Sequence, residues 1–234
     1  MVCNTGVGLT PTVDGTVHHF STRGIFNGLS MLADEETGSI WNHITGRAVY
    51  GPLEGYTLPV FNLLHMTAEQ ALARYPELPV AISDRPVRGR RGMFAPLADR
   101  VPFLRPGFKS TIVKEDTRLP TMDIGLGVWT ESEQRYYPMD LVRAGGGAIV
   151  DRFDGRRLVV YMEPGSYAVD AFFTDEHTAS LDGSRVMVGE ELVLEGGVLR
   201  DASGSRLEIE RPLQLFSRWY GFALTFPGTT IYGR

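Results

Sequence analysis

Glycine and proline recur along the whole chain, 27 and 14 times in 234 residues, and they leave room only for short regular elements between turns. The runs between them are rich in β-branched and aromatic residues, as in RRLVVYM, AVDAFFT and EELVLEGG. Short runs of this kind, bounded by turn residues, are typical of strands. The sequence therefore predicts a mainly β fold, of the β-rich α+β class, with a few short helices.

Several local signals place turns and helix ends. Asp14-Gly15 and Asp154-Gly155 are Asp-Gly pairs, which favour two-residue hairpins. Thr67 and Gln70 have the spacing of a capping box and predict the start of a helix. Tyr75-Pro76 predicts its end, because the residue before a proline is pushed out of the helical region.

Two segments, 63–82 and 213–233, follow the same order of strand, short helix, aromatic-proline pair and strand. Upstream of them, 33–41 and 199–207 share an acidic residue followed by Ser or Thr, Gly and Ser. We therefore predict an internal repeat, in which two related β-rich halves pack around a shared core. The predicted boundaries are 1–82 for the first half, 83–124 for an Arg/Pro/Gly-rich connection and 125–234 for the second half.

Charge and cysteine content exclude several classes of protein. The net charge of −5 argues against a nucleic-acid or anionic-membrane partner, since both would require a basic face. No apolar run approaches the ~20 residues of a membrane helix, so no membrane span is predicted. The single cysteine, Cys3, excludes an intrachain disulfide and any CxxC zinc site.

The stretch from residue 24 to residue 55 resembles the signature of the family called domain of unknown function 3179. The segments RYYPMDLV and FALTFPGTTIYG resemble two further segments of that family, so the resemblance covers most of the chain. The resemblance implies how the chain is organised, but it does not imply any reaction. The residues that match the signature are Gly24, Asn27, Asp34, Thr37, Ser39, Trp41, Gly46, Ala48, Gly51, Leu53 and Gly55.

The chain departs from the family pattern at its start. Family members typically read Cys-Pro-x-[Cys/Thr] where this chain has Cys3-Asn4-Thr5-Gly6. They also usually carry a further front segment, often behind an export or lipoprotein leader. The chain thus resembles a member that lacks this segment, which leaves the compartment open: cytoplasmic as given, periplasmic or exported in full-length relatives.

Cys3 is the first candidate for chemistry. As a thiolate it would be a nucleophile, and Thr5 lies in the Gly-rich turn that would hold a ligand beside it. The predicted repeat places Cys3 opposite Met162, and with His18, or its neighbour His19, the three would form a sulfur-sulfur-imidazole set that suits copper. The alternative is that Cys3 and Met162 fill an apolar core layer.

The signature stretch supplies the second group of candidates. Asn27, Asp34 and Ser39 are expected as catalytic polar residues, and Trp41 as a binding residue. The alternative is structural, because Asp, Ser and Thr often satisfy the backbone of their own turn, and Trp is commonly buried in the core. Arg88 and Arg91 belong to the connection, which is either a linker or a lid that grips a carboxylate or phosphate ligand.

These residues together predict a soluble protein with a small-molecule or metal site between its two halves. In the first hypothesis it is an enzyme, a hydrolase or oxidoreductase, that uses Cys3 or a Cys/His metal centre. In the second it is a non-catalytic ligand-binding module. In the third it is a truncated form completed by dimerisation, since an unpaired strand edge at residues 1–8 would otherwise be exposed.

Overall fold

The computed structural model describes residues 6–79, 82, 104–166 and 168–234, and this part of the chain is strand-rich with four short helices. The predicted β-rich class is therefore confirmed. The helices are α1 (Ala68–Arg74), α2 (Pro106–Lys109), α3 (Met139–Ala144) and α4 (Trp219–Thr225). The strands are β1 (Gly8–Leu9), β2 (Thr12–Val13), β3 (Thr16–Val17), β4 (Phe20–Phe26), β5 (Leu29–Asp34), β6 (Ile40–Asn42), β7 (Ala48–Tyr50), β8 (Val60–Phe61), β9 (Ile124–Trp129), β10 (Gln134–Pro138), β11 (Ala148–Phe153), β12 (Arg156–Met162), β13 (Val169–Thr174), β14 (Ala179–Asp182), β15 (Arg185–Val188), β16 (Leu192–Glu195), β17 (Val198–Arg200), β18 (Arg206–Leu207), β19 (Leu213–Arg218) and β20 (Thr230–Ile231).

A four-stranded sheet of order β19-β9-β10-β20 separates two cores. Strand β9 is antiparallel to both of its neighbours, and β20 is parallel to β10. Because side chains alternate along a strand, Leu126 and Val128 enter one core, whereas Trp129 enters the other. The strand is therefore buried on both faces, as its nearly uniform apolar sequence IGLGVW requires.

Helix α4 covers one face of this sheet. A Cβ atom on Gly127 would lie 2.1 Å from the ring of Phe222, so glycine is what allows the helix to approach β9 this closely. Leu29 and Ile44 come from the first predicted half and pack in the same cluster as Trp219. Residues from the predicted first half (1–82) and from the predicted second half (125–234) therefore pack in one core.

The opposite face of the sheet packs against a three-stranded antiparallel sheet, β11-β12-β13, and helix α3. Beyond these strands lies a five-stranded antiparallel meander, β14 to β18, with a third apolar cluster beneath it. The first half forms its own four-stranded meander, β4 to β7, over a smaller cluster that contains Trp41. Each meander has consecutive strands as neighbours, which short turns make possible.

The local signals are confirmed where the structure describes them. Asp14-Gly15 and Asp154-Gly155 both have positive φ at both residues and close the β2-β3 and β11-β12 hairpins. Thr67 and Gln70 form the capping box of α1. Helices α1 and α4 end in almost the same conformation, φ −132° and ψ 78° at Tyr75 against φ −123° and ψ 77° at Phe226. The internal repeat as a whole stays a prediction.

Among the described residues, no helix has both the length and the hydropathy that crossing a membrane requires.

Candidate functional site

The signature stretch folds into a hydrogen-bonded turn after strand β5. Asp34 ends that strand, and its Oδ1 accepts hydrogen bonds from the Thr37 backbone N–H (2.6 Å) and hydroxyl (2.8 Å). Its Oδ2 accepts a hydrogen bond from the indole Nε1 of Trp41, at 2.7 Å. Burial by itself would raise the pKa of Asp34, but these hydrogen bonds outweigh burial and hold that pKa below its usual value.

Ser39 and Trp41 are both fully buried beside this turn. The Ser39 hydroxyl lies 2.7 Å from that of Thr37 and accepts a hydrogen bond from the Leu53 backbone N–H. The ring of Trp41 packs edge-on against Phe20 and Tyr56. The structural alternative thus accounts for the polar atoms of Ser39 and Trp41, and their expected catalytic and binding roles stay predictions.

His18 lies beside the same turn. Its side chain is only 7% exposed, and its Nδ1 atom is buried without a hydrogen-bond partner among the described residues. That atom is 3.5 Å from Asp34 Oδ1 and 3.7 Å from Glu36 Oε2. The next residue, His19, points outward with a side chain 72% exposed and contacts Glu36 through its Nδ1 at 2.7 Å. One atom from each of His18, Asp34 and Glu36 lies within 4.8 Å of the other two, so this group can hold a metal ion.

The structure places the other predicted site residues elsewhere. Asn27 is at the turn between β4 and β5 with φ +47°, and its Oδ1 accepts a hydrogen bond from the Val113 N–H. Met162 ends β12 and packs against the core on the α3 side of the central sheet. Four further candidates lie outside the described residues: Cys3, Thr5, Arg88 and Arg91. The copper set of Cys3, His18 and Met162 therefore stays a prediction.

A cleft lies where helix α1 of the first half meets the second half. Arg74, in the last turn of α1, donates a hydrogen bond from Nη2 to the Gly197 carbonyl at 3.1 Å. A Cβ on Gly197 would lie 2.1 Å from Arg74 Nη1, so glycine makes room for the guanidinium. On one side of Arg74 is a cavity of about 460 Å³, lined by residues 197–199, 206–209 and Arg211. On its other side is a cavity of about 360 Å³.

Charged and polar groups lie behind this cleft. Arg211 donates to the Ala171 carbonyl (2.8 Å) and to the hydroxyl of the buried Tyr161 (3.1 Å). Burial raises the pKa of Asp170, and the positive charge of Arg211 opposes that rise. Glu163 lines the smaller cavity, and burial together with the charge of Asp170 raises its pKa as well.

A family model described as a protein of unknown function, DUF3179, matches residues 1–215 of the chain. The chain belongs to the DUF3179 family. Within this DUF3179 protein, the motif residues Asp34, Thr37, Ser39 and Trp41 are the ones that build the hydrogen-bonded turn. A search of curated proteins and a search of solved structures found no match.

Sequence reasoning missed Glu36 and the residues of the cleft. Glu36 lies two positions after the predicted candidate Asp34, but no pattern in the sequence linked it to His18, which is 18 positions earlier. In the sequence, Arg74 has the ordinary position of a cation in the last turn of a helix, and Arg211 lies at the end of a β-type run, so neither position indicates a binding site. Glu163 precedes Pro164, whose carbonyl accepts a hydrogen bond from Gln70 of helix α1, and it lines the smaller cavity beside that helix.

Proposed function

We propose that this DUF3179 protein binds a small anionic molecule, bearing carboxylate or phosphate groups, in the cleft between helix α1 and the second half. The observation that carries the proposal is a set of three arginines, Arg74, Arg206 and Arg211, lining one cavity of about 460 Å³. That volume falls in the range of about 300–1,000 Å³ common for small-molecule sites.

The charge of these arginines supports an anionic ligand. Within the described part of the chain, the ion pairs involve other basic residues, and none joins Arg74, Arg206 or Arg211 directly to a carboxylate, although the charges of Arg74 and Arg211 act on the buried Asp170 and Glu163. Glu208 is the one acidic residue among the described lining residues of this cavity. Guanidinium groups bind carboxylate and phosphate through paired hydrogen bonds, which gives such a site both affinity and orientation.

This proposal follows the second of the three hypotheses, a ligand-binding module. The first hypothesis, an enzyme that uses Cys3, depends on a residue outside the described part of the chain and stays a prediction. The third, a dimer completed by strand exchange, rests on a free strand edge at residues 1–8; Gly8 pairs with Phe61 of β8, residues 1–5 lie outside the described part, and the dimer stays a prediction.

The test is a titration of the full chain with citrate and with inorganic phosphate, followed by calorimetry. We expect Arg206→Gln to weaken binding about tenfold, because one charge-assisted hydrogen bond contributes about 1.5 kcal/mol and 1.4 kcal/mol is a factor of ten. Arg206 is exposed, so its loss leaves the core intact. Arg152→Gln, an exposed arginine on β11, is the matched control and should bind as the unsubstituted chain does. Equal losses in both variants, or no binding of either anion, would overturn the proposal.

A further inference from the structure

We infer that His18, Asp34 and Glu36 form a binding site for a divalent first-row transition-metal ion, such as Zn²⁺ or Mn²⁺. This site lies wholly in the first half and is independent of the arginine-lined cleft.

The first step of the argument is the state of the His18 side chain. Burying a ring nitrogen without a hydrogen-bond partner costs free energy, so such an atom in a folded protein requires an explanation. Nδ1 of His18 is buried among the described residues and faces two carboxylate oxygens at 3.5 and 3.7 Å. At these distances neither contact is a hydrogen bond of normal length.

The second step is the spacing of the three ligand atoms. In a tetrahedral site with metal–ligand bonds of about 2.0–2.1 Å, neighbouring ligand atoms are roughly 3.3 Å apart. The separations of Nδ1 from Asp34 Oδ1 and from Glu36 Oε2 are slightly larger than this. All three atoms lie within 4.8 Å of one another, so closure of the two carboxylates around the imidazole nitrogen would bring them to bonding distance of one ion.

The third step is charge and ligand chemistry. Asp34 and Glu36 bring two negative charges to one place, and a divalent cation neutralises both. One imidazole nitrogen with two carboxylate oxygens suits zinc, manganese or ferrous iron, whereas a copper(I) site would need soft sulfur ligands. The three protein ligands leave coordination positions for water or for a substrate.

The surroundings of the ligands support the same assignment. Asp34 is held in place by hydrogen bonds from Thr37 and Trp41, and the backbone N–H of His19 donates to Glu36. Outer hydrogen bonds of this kind orient the carboxylates of metal sites and raise their affinity. The turn that the family signature builds therefore also presents the two carboxylate ligands, Asp34 and Glu36, while His18 comes from the segment before β4.

The experiment is a calorimetric titration of the full chain with Zn²⁺ and, separately, with Mn²⁺, after treatment with a chelator. We expect one ion per chain, and an affinity at least tenfold lower in Glu36→Gln. The Glu36 side chain is partly exposed, so this variant should keep the fold. The matched control is Glu35→Gln, the neighbouring exposed carboxylate, which should bind the ions with unchanged affinity.

A second variant separates a metal site from a simple histidine–aspartate contact. His18→Gln removes the imidazole ligand and should also lower the affinity at least tenfold, while His177→Gln should leave it unchanged. Absence of stoichiometric binding, or equal losses in Glu35→Gln and Glu36→Gln, would overturn the inference. Failure of the arginine-cleft proposal would leave this result unaffected, because no residue is common to both sites.

Discussion

Asp34 and Asp123 are both carboxyl groups withdrawn from water, and their surroundings move their pKa values in opposite directions. Asp34 accepts hydrogen bonds from Trp41 and Thr37, which outweigh burial and keep its pKa low. Asp123 has a buried Oδ1 without a partner among the described residues. Burial therefore raises the pKa of Asp123 to about 6, with Asp140 reinforcing the rise and the charges of Arg234 and Arg218 opposing it.

The raised pKa of Asp123 predicts that the effect of Asp123→Asn on the free energy of unfolding depends on pH. Because the folded-state pKa of about 6 exceeds the ordinary value of 3.8, folding favours the protonated carboxyl. The group therefore contributes stability at low pH, and this contribution is lost as the pH rises from about 4 through 6. At 1.36 kcal/mol per pH unit the loss is at most about 3 kcal/mol, and partial exposure reduces it to about 1–2 kcal/mol.

The amide of the Asn variant does not titrate, so its stability relative to the unsubstituted chain should rise by that amount between pH 4 and pH 7. Urea denaturation at the two pH values measures the difference. The same difference at both values would contradict the explanation.

Helices α1 and α4 have the same length and nearly the same C-terminal geometry, yet different forces hold them. Five of the seven residues of α4 are buried, and its first N–H groups donate to carbonyls of the segment just before β9, as Trp219 does to Asp123. Helix α1 has no buried residue, and its start depends on the reciprocal hydrogen bonds of Thr67 and Gln70. Packing in the core therefore stabilises α4, whereas capping hydrogen bonds stabilise α1.

The packing of α4 against β9 predicts a large effect of Gly127→Ala. The added methyl group would overlap the ring of Phe222, and overpacking of this kind costs about 1–3 kcal/mol. The matched control is Gly107→Ala in helix α2, where a Cβ meets no atom within 4 Å and alanine favours the helix. We expect the first variant to lower the thermal midpoint and the second to leave it equal or higher. Similar midpoints in both would show that the contact of α4 with β9 is not tight.

The two proposed sites lie in different parts of the molecule. The group of His18, Asp34 and Glu36 lies within the predicted first half, and the arginine cleft lies where helix α1 meets the predicted second half. Asn62 and Gln70 join the halves at this junction through hydrogen bonds to the Pro212 and Pro164 carbonyls, at 2.7 and 2.8 Å. Helix α1 places Arg74 in the cleft, so we expect the affinity of the cleft for an anion to depend on whether this exposed helix is folded.

This link predicts that Thr67→Ala weakens anion binding although Thr67 does not line either cavity. Loss of an N-cap costs about 1 kcal/mol, and α1 has no buried face to compensate. Only the fraction of molecules with a folded α1 binds, so we expect the affinity for phosphate or citrate to fall a few-fold. Thr67→Ser keeps the cap and should restore the affinity. If Thr67→Ala binds normally, α1 does not contribute to the cleft.

Features that depend on a few neighbouring residues were predictable. The hairpins at Asp14-Gly15 and Asp154-Gly155 and the capping box of Thr67 follow from backbone preferences and local hydrogen bonds. The structural alternative for the signature stretch, in which Asp, Ser and Thr satisfy their own turn, describes the hydrogen bonds of Asp34, Thr37 and Ser39, whereas Asn27 lies at another turn. Glu36 was not anticipated, because its contact with His18 joins residues that are far apart along the chain.

The amino-acid sequence alone determined the strand-rich class, the positions of turns and the family, since these depend on local conformational preferences and on a motif. Only the tertiary structure decided which groups are buried beside one another. It placed the unpartnered nitrogen of His18 against two carboxylates and brought Arg74 to Arg206 and Arg211. Such contacts arise from the packing of distant segments, and local periodicity carries no information about them.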